Sequence, residues 1–193
     1  MNYTIENILS IVNAKGEEGL NSVLSGFSCP VNMDIQNFLL EKSLDFAKKK
    51  MSISYLVFNN DSGVLLGYFT FTHKILDVPA TGLSNTAKRR ISRYAPLDDK
   101  TGVYHASAFL LAQFGKNYAL NEEDKIPGAD LMDCADIILK DIQFRVGGGM
   151  VYLDCEDKKN LIEFYEKTAG YRKISEREST LDGRKYLQYF KFI

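Results

Sequence analysis

The sequence predicts an α/β (α+β) fold built on a mixed sheet, and two patterns along its 193 residues support this prediction. The first is a pair of β-rich runs, 53–58 and 64–73, joined by the polar loop 59–63, which indicates an antiparallel hairpin. The second is a strand, loop, helix and strand in succession over residues 103–153, which indicates two parallel strands joined by a crossover helix. We therefore expect a sheet with both antiparallel and parallel neighbours.

Two helices are predicted ahead of the hairpin. The first is short, ends before Gly16 and is followed by an irregular stretch. Asp34 can cap the second, because its side chain accepts from a free N–H of the first turn, and the lysines at 48–50 close it near the negative end of the helix dipole. The apolar residues that predict the first helix by their spacing are Ile5, Ile8, Leu9 and Val12.

The region after the hairpin is expected to contain a basic helix and a central strand. Ser84 can cap a short helix that carries four basic side chains. Residues 103–113 are a long strand candidate, and its apolar second half indicates burial on both faces. The four basic side chains are Lys88, Arg89, Arg90 and Arg93.

The last third of the chain completes the crossover and the sheet. Apolar residues from Leu131 to Ile142 recur at helical spacing, which indicates an amphipathic helix that ends before Gly147. Ligands of such sheets bind at the carboxyl ends of strands, beside a helix N-terminus, so we expect a site near residues 111–131. After the helix we predict a strand at 150–153, a helix capped by Asp157 that stops at Gly170, and strands at 171–174 and 185–192.

Composition and charge narrow the class of protein. With 45% hydrophobic residues and a formal net charge of -1, we expect a soluble cytoplasmic protein with no overall attraction to nucleic acid or an anionic membrane. Three widely spaced cysteines argue against a disulfide framework and a zinc site, so no metal is expected. Neither a signal peptide nor a membrane span is predicted. We expect a single domain over 1–193, with a helical part at 1–50 and the core at 51–193.

The loop 125–131 opens the crossover helix and has features that a pyrophosphate requires. Gly128 has no side chain, so backbone N–H groups can approach phosphate oxygens, and Pro127 restricts the backbone. Lys125 adds positive charge, whereas the carboxylate of Asp130 repels phosphate. The same residues also suit an ordinary capped helix start, and both interpretations remain open at this point.

A buried strand at 110–114, the loop at 125–130 and a strand and helix at 151–171 follow one another in the chain. In this order they resemble the GNAT superfamily of N-acetyltransferases, and the resemblance covers roughly residues 50–192. The family loop has the form Q/R-x-x-G-x-G/A, from which Lys125 and Asp130 depart. The later segment has the family's Phe-Tyr-x-Lys run, followed by a glycine and an aromatic residue.

This resemblance implies a GNAT-like sheet, mostly antiparallel and twisted, with a central splayed pair of parallel strands and flanking helices. It also implies acetyl-CoA as the cofactor and Tyr165 as the catalytic acid that protonates the leaving thiolate. The alternative is that Tyr165 only packs a helix face. The implied cofactor-binding residues are Leu111, Ala112, Gln113, Phe114, Lys125, Ile126, Pro127, Gly128, Ala129, Asp130, Asn160, Tyr165 and Lys167.

No general base for the acceptor amine stands out. His105 lies eight residues before Gln113, about 27 Å along an extended strand, so we expect it to be structural or exposed, and His73 likewise. Cys155 is expected to be a small buried hydrophobe. Attack by an amine can proceed with water or a backbone carbonyl as proton acceptor, so transfer to a primary amine is still expected.

A narrower similarity concerns the acceptor. Residues 27–29, Asn32, Asp34, residues 38–39 and residues 67–70 are similar to those of GNAT toxins that act on aminoacyl-tRNA. The basic helix would then contact tRNA phosphates. We favour a solvated helix face, because the sequence pI of about 6.2 is low for such a toxin. A catalytically weak CoA-binding or interaction protein is a further alternative, and the oligomeric state stays open, a homodimer included.

Overall fold

The structure is a computed structural model, and it describes residues 2–178 and 183–193. The described residues form a sheet of eight strands. The strands are β1 (Tyr3–Asn7), β2 (Ile53–Asn59), β3 (Leu65–Pro79), β4 (Leu97–Asp98), β5 (Val103–Lys116), β6 (Met150–Glu156), β7 (Arg172–Glu178) and β8 (Lys185–Phe192). The helices are α1 (Ile8–Leu24), α2 (Met33–Asn37), α3 (Ser43–Lys48), α4 (Asn85–Ile91), α5 (Gly128–Val146) and α6 (Lys159–Glu163). Two π-helical turns, Phe38–Lys42 and Phe164–Thr168, follow α2 and α6, and a 3₁₀ turn spans Glu122–Asp124.

The sheet is mixed, as the sequence predicts. Its strand order is β1-β2-β3-β5-β6-β8-β7, with β4 paired to β5. The pairs β1–β2, β2–β3, β4–β5, β6–β8 and β7–β8 are antiparallel, and β5–β6 is parallel. The hairpin and the crossover unit are therefore both confirmed, and so is the mostly antiparallel sheet with one parallel pair.

The chain divides into two compact units. The first unit comprises Met1–Thr72 and Leu111–Leu139, and the second comprises His73–Leu110 and Lys140–Ile193. The strands β3 and β5 each contribute residues to both units. No helix in the described part of the chain is long and apolar enough to cross a membrane.

The first unit corrects the prediction for the N-terminus. Ile5 is not helical but lies in β1, opposite Val57 of β2. The helix begins only at Ile8, where the Asn7 side chain accepts a hydrogen bond from the N–H of Leu9 at 2.9 Å. The stretch after Gly16 is also helical, although Gly16 itself breaks the helix with a φ of 72°. Pairing with a distant strand therefore overrides the local helical spacing.

The second predicted helix of this unit is present, but its cap is a different residue. Asn32, not Asp34, is the N-cap, and its side-chain oxygen accepts from the N–H groups of Asp34 at 3.0 Å and Ile35 at 3.4 Å. Asp34 lies in the first turn, where its charge favours the helix dipole. The core that these helices cover on β2 and β3 is made of fully buried residues that include Ile8, Leu20, Leu39, Leu56 and Tyr68.

The second unit contains the basic helix and the C-terminal strands. Ser84 caps α4 as predicted, with its hydroxyl accepting from the N–H of Ala87 at 3.2 Å. Arg93, however, was predicted to lie on this helix and instead lies in the turn that follows it. The predicted cap at Asp157 is wrong, because the N-cap of α6 is Lys158, which forms no side-chain capping bond. The two last predicted strands are present as β7 and β8. The core of this unit includes Leu76, Val78, Ile91, Ala106 and Met150.

Candidate functional site

In the first unit, the candidate phosphate-binding feature is the N-terminus of α5. The first N–H that donates to a backbone carbonyl here is that of Leu131, to Pro127 at 3.1 Å. The N–H groups of Gly128, Ala129 and Asp130 have no backbone acceptor among the described residues. Unpaired N–H groups at the positive end of a 19-residue helix favour a bound anion. The backbone therefore presents the donors that a pyrophosphate needs.

The two charged side chains of this loop are engaged by neighbours. Lys125 Nζ lies 2.5 Å from Glu122 Oε1 and 5.2 Å from the centre of the Tyr118 ring. The Asp130 carboxylate accepts a hydrogen bond of 2.8 Å from the Tyr3 hydroxyl. Burial, and then this hydrogen bond, raise the pKa of Tyr3 to about 12. The positive charge of Lys125 and the negative charge of Asp130 are thus both partly compensated within the protein.

A buried asparagine fixes the polar insert between β5 and this loop. Asn117 is 2% exposed. Its side-chain oxygen accepts from the N–H groups of Ser28 and Ala119, each at 3.0 Å, and its amide donates to the carbonyls of Gly26 and Leu65, each at 2.9 Å. The sequence analysis treated this insert only as a polar loop and missed Asn117. A lone asparagine directly after a buried strand is a weak signal for such a role.

The end of β5 holds the residues expected to pair with the pantetheine arm. Leu111 is buried, and Ala112, Gln113 and Phe114 are partly exposed. Next to them, Gly115 packs closely on Gly67 of β3. A Cβ added at Gly67 would come only 2.8 Å from the Gly115 carbonyl oxygen. One edge of this segment is therefore occupied by β3 within the first unit.

In the second unit, the parallel pairing of β5 with β6 is short. It pairs Phe109 with Val151 and Leu110 with Tyr152. The continuation of β6, from Leu153 to Glu156, pairs with β8. Within this unit the other edge of that continuation has no registered strand partner among the described residues. An unpaired strand edge offers backbone donors and acceptors to an extended ligand.

Tyr165 lies in the π-helical turn that follows α6. Such turns are frequent at functional sites, because they rotate one side chain out of the regular helical stripe. The side chain is 8% exposed and packs against the rings of Tyr171 at 6.0 Å and Tyr189 at 6.4 Å between centroids. Its hydroxyl forms no hydrogen bond with the described residues. Burial, and then the neighbouring Cys155, raise the pKa of Tyr165 well above its usual range, so the phenol stays protonated.

The other predicted cofactor-binding residues near Tyr165 lie on the surface. Asn160 and Lys167 are exposed, and Lys167 Nζ lies 3.4 Å from Glu163 Oε1 one helical turn earlier. The Tyr189 hydroxyl donates to Glu166 at 3.0 Å. Cys155 is buried, and burial followed by the charge of Asp154 raises its pKa to about 12. The Cys155 thiol is therefore a poor nucleophile.

Comparison with known proteins finds solved structures with a similar fold but no relative by sequence. No family model and no curated protein matches the chain. A tyrosine-to-phenylalanine mutant of KacT matches with a TM-score of 0.67 at 14% identity over 100% of this chain and 95% of that chain. AtaT complexed with acetyl-methionyl-tRNAfMet matches with a TM-score of 0.62 at 15% identity over 96% and 93%. The NatC complex bound to Gag peptide and CoA matches with a TM-score of 0.52 at 10% identity over 100% and 99%.

These likenesses define the class of structure. The chain has the GNAT fold, with its mixed sheet and one central parallel pair. Within that class, the similar solved structures include toxins, among them a tyrosine-to-phenylalanine mutant of the AtaT toxin with a TM-score of 0.66 at 14% identity over 99% of this chain and 89% of that chain. The resemblance deduced from the sequence is thus confirmed for the fold.

Proposed function

We propose that the protein is an N-acetyltransferase that moves an acetyl group from acetyl-CoA to a primary amine by direct attack. The observation that carries the proposal is Tyr165, a protonated and nearly buried phenol whose hydroxyl has no hydrogen-bond partner among the described residues. A hydroxyl in that state is ready to donate to a sulfur that becomes negative during the reaction.

The cofactor is proposed to bind largely through backbone groups. The pyrophosphate accepts hydrogen bonds from the N–H groups of residues 128–130, with Lys125, Ile126 and Pro127 shaping the loop. The pantetheine amides pair with the backbone of residues 111–114. Asn160 and Lys167 contribute exposed polar groups. Support comes from similar folds solved with the cofactor: AtaTR bound with acetyl-CoA, at a TM-score of 0.59 and 14% identity, and NatC bound to CoA.

The reaction then needs one bond made and one broken. The amine nitrogen attacks the thioester carbonyl carbon, the carbon–sulfur bond breaks, and the amine gives up a proton, in the simplest case to water. Tyr165 donates its proton to the leaving sulfur and recovers one from water. Because its pKa is raised, Tyr165 remains in the donating form throughout the neutral range.

Aminoacyl-tRNA is a second candidate acceptor, and the basic helix α4 favours it. Arg89, Arg90 and Arg93 are exposed, and the guanidinium of Arg90 lies 4.3 Å from the centre of the Phe192 ring. Neither Arg89 nor Arg93 forms an ion pair with the described residues. Exposed cations on a helix and in the turn that follows it suit phosphate contacts, and AtaT, which has a similar fold, was solved with acetyl-methionyl-tRNAfMet.

The test is an acyl-transfer screen that follows thiol release from acetyl-CoA. Acceptors are bulk aminoacyl-tRNA, peptides with free N-termini, and polyamines. We expect Tyr165→Phe to bind acetyl-CoA almost normally and to transfer at least about tenfold more slowly. Tyr186→Phe, a partly exposed tyrosine of β8, is the matched control and should be unchanged. Equal turnover by Tyr165→Phe and the wild type would remove Tyr165 from the mechanism.

The same screen separates the acceptor classes. With aminoacyl-tRNA as acceptor, Arg89→Glu with Arg93→Glu should raise KM and reduce its salt dependence. With small amines the two substitutions should have no effect. Binding of acetyl-CoA without turnover for any acceptor would instead favour a CoA-binding interaction protein.

A further inference from the structure

A histidine and a serine on neighbouring strands of the second unit form a hydrogen-bonded pair. His73 on β3 and Ser107 on β5 are both exposed. The Nε2 atom of His73 lies 3.2 Å from the Ser107 hydroxyl oxygen. A serine hydroxyl that can donate to an imidazole nitrogen is able to pass on a proton that it receives from a third group. The proposed function gives this pair no role.

The pair lies next to the short parallel ladder of β5 and β6. The His73 ring makes an edge contact with the Phe109 ring at 5.3 Å between centroids, and Phe109 is the residue paired with Val151. Ser107 is two residues before Phe109 on the same face of β5, about 7 Å along an extended strand. Gly148 also lies close to the Phe109 ring, since a Cβ at Gly148 would come 2.7 Å from it. His73 is thus in contact with a residue of the ladder.

The second histidine of the chain has a different environment. His105 Nδ1 lies 2.7 Å from an Asp77 carboxylate oxygen, and its Nε2 lies 3.9 Å from Asp98. Asp98 is itself tied to Thr101 at 2.8 Å. His105 is therefore part of a surface network of acidic partners, whereas His73 forms no ion pair with the described residues. The chain contains only these two histidines, so His105 serves as a control for substitutions of His73.

We propose that Ser107 and His73 accept the proton that the acceptor amine loses during acetyl transfer, an inference that rests on the proposed function. The amine N–H donates to Ser107 Oγ while its nitrogen attacks the thioester carbon. The Ser107 proton passes to His73 Nε2, and the amine proton replaces it on Ser107. The sulfur leaves with the proton of Tyr165, and water later takes the proton from His73 and returns one to Tyr165. The products are the acetylated amine and CoA thiol.

Kinetics with glycinamide as the acceptor probe tests the coupling of the two residues. We expect His73→Ala and Ser107→Ala each to lower kcat about tenfold, and the double variant to lose no more than either alone, because the pair acts as one unit. Added imidazole should restore His73→Ala but not Ser107→Ala, and Ser107→Thr should keep most of the activity. His105→Ala should match the wild type. Independent, multiplying losses without imidazole rescue would overturn the proposal.

A second measurement does not depend on turnover. The imidazole signals of the two histidines are resolved by NMR and assigned with His73→Gln and His105→Gln. With CoA bound, added glycinamide should shift the His73 signals and leave those of His105 in place. If neither or only His105 responds, the proposal fails even where transfer is measured. If His73 responds and no transfer occurs, the amine site stands and the proposed acetyl transfer fails.

Discussion

The start of α5 in the first unit and the Tyr165 turn in the second unit use polar groups in opposite ways. At the start of α5 the charged side chains are paired, Lys125 with Glu122 and Asp130 with Tyr3, and the backbone N–H groups are left over. At the turn the proposed reactive group is the Tyr165 hydroxyl, which has no hydrogen-bond partner among the described residues. In the proposed function, cofactor recognition thus rests on backbone geometry at the start of α5, and chemistry rests on the Tyr165 side chain.

This difference explains why Lys125 and Asp130, which depart from the GNAT loop pattern, should weaken the proposed pyrophosphate binding less than the sequence suggests. Lys125 adds little net charge, because Glu122 accompanies it. Asp130 repels a phosphate less than expected, because its carboxylate is turned towards the Tyr3 hydroxyl. What the loop has to provide is Gly128 followed by unpaired N–H groups, and it has both. Variants that change only one of the two regions test this difference.

The largest expected effect comes from loosening the insert that precedes α5. Asn117→Ala removes four hydrogen bonds and leaves buried backbone groups unpaired, so we expect the free energy of unfolding to fall by about 3 kcal/mol. Equilibrium unfolding in urea measures this change in free energy. Asn121→Ala, an exposed asparagine of the same insert, is the control and should stay within about 0.5 kcal/mol. A loss for Asn117→Ala as small as the control's would show that the insert is not anchored as described.

A smaller effect on stability is expected at alkaline pH, from buried groups on β6 in the second unit. Burial raises the pKa values of Cys155 and Tyr152, each to about 12, so both groups keep their protons in the folded protein. The unfolded chain loses those protons first, from about pH 9 for the thiol and about pH 10 for the phenol, so stability is complete below these values and falls above them.

We therefore expect the melting temperature to fall by about 5 °C between about pH 8 and about pH 10.5. Cys155→Ala should reduce this dependence on pH, whatever its effect at neutral pH. A melting temperature that stays constant up to about pH 11 would contradict the burial of these groups.

The smallest effect concerns the charge balance of the first region. Glu122→Gln leaves Lys125 without its acidic partner, so we expect the Kd for acetyl-CoA to fall by about threefold. Glu123→Gln removes the same charge from an exposed neighbour that forms no ion pair with the described residues. It should change the Kd less. Equal gains from the two substitutions would mean that net charge alone, and not Lys125, sets the affinity.

The parts of the fold that the sequence predicted correctly are those whose signal is local. The hairpin of β2 and β3 and the crossover through α5 follow from periodicity and turn residues. Ile5 was assigned wrongly because its partner, Val57, lies far away in the chain, and short-range spacing cannot report such a pairing. Asp34 was predicted as the cap although Asn32 holds that position, because both residue types suit an N-cap and only the backbone geometry distinguishes them.

The candidate site shows the same division. Motifs in the sequence singled out the loop before α5 and Tyr165. Their roles in binding pyrophosphate and in donating a proton remain predictions. The π-helical turn that carries Tyr165 has no sequence signal. Tyr3, the partner of Asp130, and Ser28 and Gly26, two of the four partners of Asn117, come from the N-terminal segment, so no pattern near the loop could reveal these contacts.

Calorimetric titration with acetyl-CoA tests the central claim most directly, with Ala129→Glu set against Ile137→Glu. Ala129 is exposed in the first turn of α5, where a carboxylate suits the helix but repels a phosphate, and Ile137 is exposed two turns further on. We expect saturable binding by the wild type and Ile137→Glu, and a Kd at least about tenfold higher for Ala129→Glu, with all three proteins equally folded. Equal affinities for the two variants, or no binding by the wild type, would contradict the account.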